Sequence, residues 1–154
     1  MLYNSYIYLG KKLHRVLLPF LRFGKEKRVR IVVLSDDQRI LLVRNWFGHQ
    51  NWSLPGGGVK KGETPESAIL RELYEEAGVS VEPSRVSYVR SYSCYESSVP
   101  FKADVYCVDI KRRPSLSERK SFEIIERKWH PLATLPNDLA MPIQRILEEI
   151  KNEH

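Results

Sequence analysis

Residues 56–79 read GGGVKKGETPESAILRELYEEAGV and contain the clearest structural pattern in the chain. A run of three glycines interrupts regular structure and lets the backbone approach a neighbouring group closely. Thr64 is a good N-cap, and Pro65 suits the first helical position, because its missing N–H costs nothing there. We therefore predict a helix from Pro65 to Ala77 that ends at Gly78, a common C-terminal stop.

The predicted helix has an acidic face. Glu72, Glu75 and Glu76 are spaced i, i+3 and i+4, so their carboxylates share one side of the helix. Oxygen ligands side by side are what Mg²⁺ or Mn²⁺ requires. The alternative, for the helix taken alone, is a solvated charged face. An adjoining arc is apolar and can pack against a sheet; it comprises Ile69, Leu70, Leu73 and Ala77.

The sequence on either side predicts a mixed α/β domain. With 154 residues, of which 42% are hydrophobic, the chain can build one self-sufficient core, which excludes a disordered or fibrous protein. Strands and helices do not strictly alternate, so we expect a mixed β-sheet between helices. The predicted elements are a hairpin with strands at 29–34 and 39–43, strands at 86–94, 101–110 and 124–129, and a helix at 143–151.

The N-terminal segment differs from the rest of the chain. It mixes aromatic, aliphatic and basic residues, and we predict a helix over 5–18 that ends near Pro19. This helix either packs on the domain or docks on a membrane surface or a partner. We divide the chain into an N-terminal helical extension, 1–27, and a domain, 28–154.

The charge balance suggests a polyanionic partner. Lys and Arg total 25 against 19 Asp and Glu, giving +6, which suits nucleic acid, nucleotide phosphates or anionic lipid. No nucleic-acid-binding motif is visible. Much of the positive charge lies in the N-terminal segment and in a predicted loop at 111–120. These residues either steer a polyphosphate or an RNA 5′ end toward the acidic site or are simply solvated. No segment is long enough to span a membrane. Cys94 and Cys107 fit no disulfide or metal pattern, so we expect reduced thiols in a cytoplasmic protein.

Residues 57–79 resemble the signature box of the Nudix hydrolases (MutT-like proteins). The likeness extends over about 28–150, including the WSLPGGG segment at 52–58. It implies an α/β/α sandwich with a mixed β-sheet and a hydrolase that cleaves a pyrophosphate bond in a nucleoside diphosphate linked to another moiety, using divalent metal and water. The matched positions of the box are Gly57, Glu63, Arg71, Glu72, Leu73, Glu75, Glu76, Gly78 and Val79.

The resemblance also implies site residues. Arg71 would orient the carboxylates, and Glu63 would add negative charge around the metal. Glu75 would be a third ligand or one that binds through water, whereas Glu72 and Glu76 would be the chief ligands. The implied ligands of Mg²⁺ or Mn²⁺ are the carboxylates of Glu72, Glu75 and Glu76 and the carbonyl of Gly56.

Residues outside the box are candidates for the general base and for substrate binding. Glu123 stands where many members of the family carry a catalytic glutamate; the alternatives are Glu118 and a box glutamate such as Glu76. Arg44 resembles a position that holds a substrate phosphate in some members. Four aromatic residues could stack on a nucleobase, core packing being the alternative, which weighs most for Trp52; they are Trp46, Phe47, Trp52 and Tyr95.

The markers that separate substrate classes leave the substrate open. The downstream proline of the ADP-ribose class is absent, and Tyr95 lies 16 residues after Val79, where the diadenosine-polyphosphate class has a tyrosine. We expect a pyrophosphohydrolase of nucleoside triphosphates or nucleotide derivatives, and homodimerisation is left open. The alternatives are a diadenosine-polyphosphate or RNA 5′-end pyrophosphohydrolase and, of another class, a catalytically silent module that binds nucleotides or nucleic acid.

Overall fold

The computed structural model describes residues 27–45, 50–96, 99–116 and 124–153. The helix predicted over 5–18 lies outside these residues, so the division at residue 27 stays a prediction. The helices and strands are, in chain order, β1 (Arg28–Ser35), β2 (Arg39–Asn45), β3 (Trp52–Ser53), α1 (Pro65–Ala77), β4 (Ser87–Glu96), β5 (Val99–Ile110), β6 (Ile124–Pro131) and α2 (Ile143–Glu153).

The strands form a six-stranded mixed sheet in the order β3-β2-β1-β5-β4, and β6 pairs with β2. β1 and β5 run parallel, with Arg28 opposite Ala103 and Ser35 opposite Ile110. The other strand pairs are antiparallel. The single parallel pair makes the sheet mixed, as the sequence predicts.

The sheet lies between two helices, one on each face. Successive side chains of a strand point to opposite faces, so one strand can pack against both helices. Both faces of β1 are buried: Val29, Ile31 and Val33 pack in the cluster that includes α1, whereas Val32 packs in the cluster that includes α2. This burial explains the nearly continuous apolar run of β1. The arrangement is the α/β/α sandwich that the sequence predicts.

Local signals set both ends of α1. The Thr64 hydroxyl accepts a hydrogen bond from the Ser67 N–H at 3.2 Å, and Pro65 is the first helical residue. Gly78 adopts a left-handed conformation with φ 71°, and its N–H donates to the Tyr74 carbonyl at 2.8 Å. The bounds of α1 are those predicted from the sequence.

The glycine segment is joined to the first half of β1. The Val29 N–H donates to the Gly57 carbonyl at 2.9 Å, and the Ile31 N–H donates to the Pro55 carbonyl at 3.0 Å. Gly56 has φ +142°, and a Cβ there would lie 2.1 Å from the Val29 carbonyl oxygen. Only glycine fits at this close approach, which keeps the segment that leads into α1 bonded to β1.

Two short elements differ from the predictions. Trp52–Ser53 pairs with β2 as a short strand, and Pro83–Arg85 forms a single 3-10 turn before β4. β6 continues past the predicted end to Pro131, because it pairs with β2 along its full length. Residues 113–116 have no regular structure, in agreement with the predicted basic loop. No helix in the described part of the chain is long and apolar enough to cross a membrane.

Candidate active site

The Arg71 guanidinium on α1 bonds to three glutamates and to a backbone carbonyl of the loop that precedes the helix. Its Nε and Nη2 donate to the two carboxylate oxygens of Glu63 at 2.8 and 2.9 Å. Nη1 donates to Glu72 Oε1 at 2.8 Å and to Glu75 Oε2 at 3.1 Å, and Nη2 also donates to the Gly58 carbonyl at 3.0 Å. The paired bonds to Glu63 are the strong bidentate arrangement of arginine and carboxylate. Arg71 therefore fixes the loop against the helix.

This network strongly perturbs the acidity of its members. Hydrogen bonds from Arg71 and from the Lys60 N–H lower the pKa of Glu63 to about 2, although burial acts in the opposite direction. The hydrogen bonds to Glu63, followed by the hydrogen bond to Glu72 and the charge of Glu72, raise the pKa of Arg71 above its usual value. Both groups are therefore charged throughout the neutral pH range.

We expect the Glu63–Arg71 pair to stabilise the fold except in acid. A carboxyl whose pKa is depressed in the folded state contributes stability above its unfolded pKa, near 4.5, and loses it as the pH falls toward 2. The difference in unfolding free energy between the wild type and Glu63→Gln should thus shrink between pH 4.5 and pH 2. Urea unfolding at several pH values measures it, with the exposed Glu82→Gln as control; a difference that is constant with pH would contradict the pairing.

The two glutamates that face the glycine segment are buried. Glu72 is 7% exposed and Glu76 is 5% exposed. Glu76 Oε2 accepts a hydrogen bond from the Gly56 N–H at 2.7 Å. Glu75 differs, because its side chain is 51% exposed and approaches Lys60 at 3.8 Å. The three carboxylates predicted to act together therefore lie in two environments.

A residue of β6 that the sequence analysis missed contacts the C-terminal end of α1. Arg127 Nε donates to the backbone carbonyl of Glu76 at 2.7 Å. α1 has no basic residue in its last turn, so Arg127 supplies a cation at the negative end of the helix dipole. Burial lowers the pKa of Arg127, and the charge of Glu76 opposes this shift. The only sequence signal was the absence of a cation in the last turn of α1, which does not identify the partner.

The carboxylates of α1 and the Gly56 carbonyl are oxygen donors of the kind that a hard divalent cation prefers. No group of three or more His, Cys, Asp or Glu side chains is arranged to hold a metal within the described ranges. Arg71 lies among Glu63, Glu72 and Glu75, while the Gly56 N–H bonds to Glu76, so the predicted ligand set of Glu72, Glu75, Glu76 and the Gly56 carbonyl stays a prediction. Buried carboxylate oxygens one helical turn apart repel, and a cation would relieve that repulsion.

Gly57 keeps space for the Glu72 carboxylate. A Cβ at residue 57 would lie 2.4 Å from Glu72 Oε1. Gly57→Ala should therefore push this flexible side chain aside and weaken divalent-metal affinity by about 10- to 100-fold, with little change in fold stability. Calorimetric titration with Mn²⁺ and thermal unfolding measure the two effects, and Ala133→Gly, a change of similar size in an exposed turn of the described chain, is the control. Unchanged Mn²⁺ affinity would show that Glu72 does not bind the metal.

Arg44 lies away from the α1 carboxylates. Its guanidinium stacks on the Trp52 ring at 4.5 Å and bonds to Asp138 Oδ2 at 2.8 Å. Trp52 packs edge-on against His130 with ring centroids 4.4 Å apart and belongs to the core cluster of α2, on the other face of the sheet from α1. Arg44 Nε and His130 Nε2 are buried and have no hydrogen-bond partner among the residues with described side chains.

The remaining predicted site residues have no described placement. Trp46, Phe47, Glu118 and Glu123 lie outside the described residues, as does the side chain of Tyr95. The structure thus brings together Gly56, Glu63, Arg71, Glu72, Glu75 and Glu76, and it places Arg44 in a second polar group.

Comparisons with known proteins agree with this geometry. A family model described as the NUDIX domain matches residues 24–150. An RNA pyrophosphohydrolase of Blochmanniella pennsylvanica is 31% identical over 121 residues, which cover 79% of this chain and 70% of that protein. The crystal structure of a MutT/nudix family protein from Enterococcus faecalis has a TM-score of 0.68 at 23% identity, covering 89% of this chain and 68% of the other. The chain belongs to the Nudix family.

The match to other relatives is shorter. An RNA pyrophosphohydrolase of Psychromonas ingrahamii is 42% identical over 59 residues, 38% of this chain and 32% of that protein. The chain therefore spans between about a third and 70% of the length of these two relatives. Nudix hydrolases act on nucleotide derivatives and generally use divalent metal ions.

Proposed function

We propose that this protein hydrolyses a pyrophosphate bond in a nucleotide substrate, a nucleoside diphosphate linked to another moiety, with Mg²⁺ or Mn²⁺. The observation that supports this most is the pair of buried carboxylates, Glu72 and Glu76, held beside the glycine segment by Arg71 and by the Gly56 N–H. A solvated acidic face would not bury these two side chains. Their burial therefore favours a ligand-binding role over the surface alternative.

The proposed metal ligands are Glu72 and Glu76, assisted by Glu75 and the Gly56 carbonyl. A bound divalent ion would neutralise phosphate oxygens and make a water molecule nucleophilic. The chain's own groups have separate tasks: Arg71 orients Glu72 and Glu75, Glu63 holds Arg71, and the Gly56 N–H orients Glu76. Glu123 is proposed as the general base that accepts the proton of the attacking water.

The proposed substrate contacts are Arg44 for a phosphate and Trp46, Phe47 and Tyr95 for the nucleobase. Arg44 is the candidate of this group because its side chain is 28% exposed, whereas the neighbouring His130 is buried. His130 is suited to a neutral role there, because burial lowers its pKa. Arg44 is already paired with Asp138, so a phosphate would have to compete with that carboxylate.

RNA with a 5′-terminal phosphoanhydride is the second candidate substrate. The curated relatives above are named RNA pyrophosphohydrolases, which favours this substrate over diadenosine polyphosphates. Hydrolysis of mononucleotides and hydrolysis of an RNA end require the same metal chemistry. The two candidates therefore differ in what the protein binds beyond the reacting phosphates.

A substrate panel tests the proposed function. The full chain is incubated with Mg²⁺ or Mn²⁺ and with nucleoside triphosphates, ADP-ribose, diadenosine polyphosphates or 5′-triphosphate RNA, and the released phosphate, pyrophosphate and nucleotides are separated. We expect metal-dependent cleavage at a phosphoanhydride that stops when metal is chelated. Nucleotide binding without turnover of any substrate would instead support the catalytically silent binding module.

A further inference from the structure

A second candidate site, with more basic than acidic residues, lies at the other end of β1 from the carboxylates. A cavity of about 820 Å³ opens between the turn after β1, the segment that follows β5 and Trp129 of β6. Lys111, Arg112 and Arg113 line it together with Asp36 and Asp37. Its volume is in the range of ligand-binding clefts. The proposed hydrolysis does not use this cavity.

Two of the three cations are available to an anion. Arg113 is held by Asp37, with Nε 2.9 Å from Oδ2, and Asp37 also accepts from the Ser35 hydroxyl at 2.6 Å. Lys111 and Arg112 are exposed, and neither makes an ion pair within the part of the chain that the structure describes. The Asp37–Arg113 pair thus orders the segment while its neighbours face solvent.

The wall of the cavity adds a buried donor. Trp129 is 7% exposed, and its Nε1–H is buried without a hydrogen-bond partner among the described residues. A buried N–H without an acceptor is unfavourable. This N–H has no exposed surface, so a ligand in the cavity does not reach it, and anion binding there depends on Lys111 and Arg112.

Distance and orientation indicate what kind of ligand spans both sites. The Gly57 carbonyl accepts from Val29, and the Ile110 carbonyl accepts from Asp36, so the two sites are separated by the length of β1, about 23 Å at ~3.3 Å per residue. Trp129 and Leu116 pack with the α1 cluster, so the cavity lies on the α1 face. Lys111 and Arg112 are therefore too distant to contact the reacting phosphates. A stacked nucleic-acid strand advances ~3.4 Å per nucleotide, so about seven nucleotides span the gap.

We propose that this cavity binds the phosphodiester backbone of an RNA chain whose 5′ end lies at α1. The inference rests on the proposed function and selects RNA over mononucleotides as the substrate class. Lys111 and Arg112 contact backbone phosphates without reading sequence. Chain length, rather than base identity, then determines how strongly a substrate binds.

Binding of a labelled, unstructured 12-nucleotide RNA with a 5′-monophosphate tests the site without turnover. Fluorescence anisotropy compares the wild type with Lys111→Gln/Arg112→Gln and with a matched control, Arg90→Gln/Lys102→Gln, which removes two exposed cations from β4 and β5. We expect the first variant to bind about 10-fold more weakly. The slope of the logarithm of the binding constant against the logarithm of the salt concentration should be shallower by about 1.4, because each lost phosphate contact to a single strand contributes ~0.7. The control should bind within about twofold of the wild type, and a dinucleotide should not distinguish the variants.

A competition measurement and a turnover measurement distinguish an RNA site from a site for free phosphate. Inorganic phosphate or uridine monophosphate is added to the complex of wild type and RNA. If either displaces the RNA with an affinity equal to that of the RNA, the cavity is a free-phosphate site and the proposal is overturned. Turnover of 12-nucleotide 5′-triphosphate RNA should fall about 10-fold in kcat/KM in the first variant, with nucleoside triphosphates unaffected. If the wild type cleaves no substrate, the proposed function fails while anisotropy still tests the cavity. Equal binding by both double variants would overturn the cavity proposal alone.

Discussion

Glu76→Gln is expected to lower kcat by about 10³-fold, because loss of one charged metal ligand removes several kcal/mol of transition-state stabilisation. The amide oxygen of glutamine can still accept from the Gly56 N–H, which lies 2.7 Å from the carboxylate. Side-chain size and the anchoring bond are thus kept, and only the negative charge is lost. Steady-state hydrolysis with saturating Mg²⁺ measures the effect once the substrate panel has identified a cleaved nucleotide.

The matched control for this variant is Glu148→Gln, which changes an exposed glutamate of α2. It should retain wild-type kcat, and both variants should unfold within about 1 kcal/mol of the wild type, as expected for substitutions that leave no cavity. A Glu76→Gln protein with full activity would remove Glu76 from the metal site. An unfolded Glu76→Gln protein would instead show that the Gly56 contact needs the charge.

Arg71→Met should have the second-largest effect, because four acceptors lose one donor group. Glu63, Glu72, Glu75 and the Gly58 carbonyl all bond to this guanidinium. Its removal leaves the buried Glu72 without that counter-charge, and we expect a loss of about 2 kcal/mol in stability, less than for a fully buried pair. Misoriented carboxylates should also lower kcat by about 10²-fold and raise the Mg²⁺ concentration needed for half-maximal rate.

Arg71→Lys separates charge from geometry. Lysine keeps the positive charge but cannot bond to both oxygens of Glu63. We therefore expect most of the stability to return while kcat and the Mg²⁺ requirement stay impaired. Equal recovery of stability and activity would show that Arg71 acts as a charge only. An unchanged Mg²⁺ requirement in both variants would contradict its positioning role.

The parts of the fold that depend on neighbouring residues were predictable from the sequence. Thr64, Pro65 and Gly78 act within one turn of the α1 ends, so the helix bounds follow from local chemistry. The parallel pairing of β1 with β5 is different, because its partners are more than 70 residues apart. Apolar patterns predict that both strands are buried and do not identify their neighbours.

The candidate site shows the same limit. Helical spacing places Glu72, Glu75 and Glu76 on one side of α1, but it does not show that Arg71 lies among them or that Glu75 is half exposed. Arg127 reaches α1 from a strand 51 residues away, which no local pattern indicates. Arg44 lies on the α2 face by strand alternation with Leu42; the sequence predicts that alternation but not which helix covers each face.

Mn²⁺ binding measured by electron paramagnetic resonance tests the central claim most directly, because free and bound Mn²⁺ give different signals. The wild type and Glu72→Gln/Glu76→Gln are titrated with Mn²⁺, with and without a non-hydrolysable nucleoside triphosphate. The account predicts saturable binding by the wild type that is tightened by the nucleotide, and loss of that site in the folded double variant. Equal Mn²⁺ binding by both proteins would contradict a metal site built on the buried carboxylates of α1.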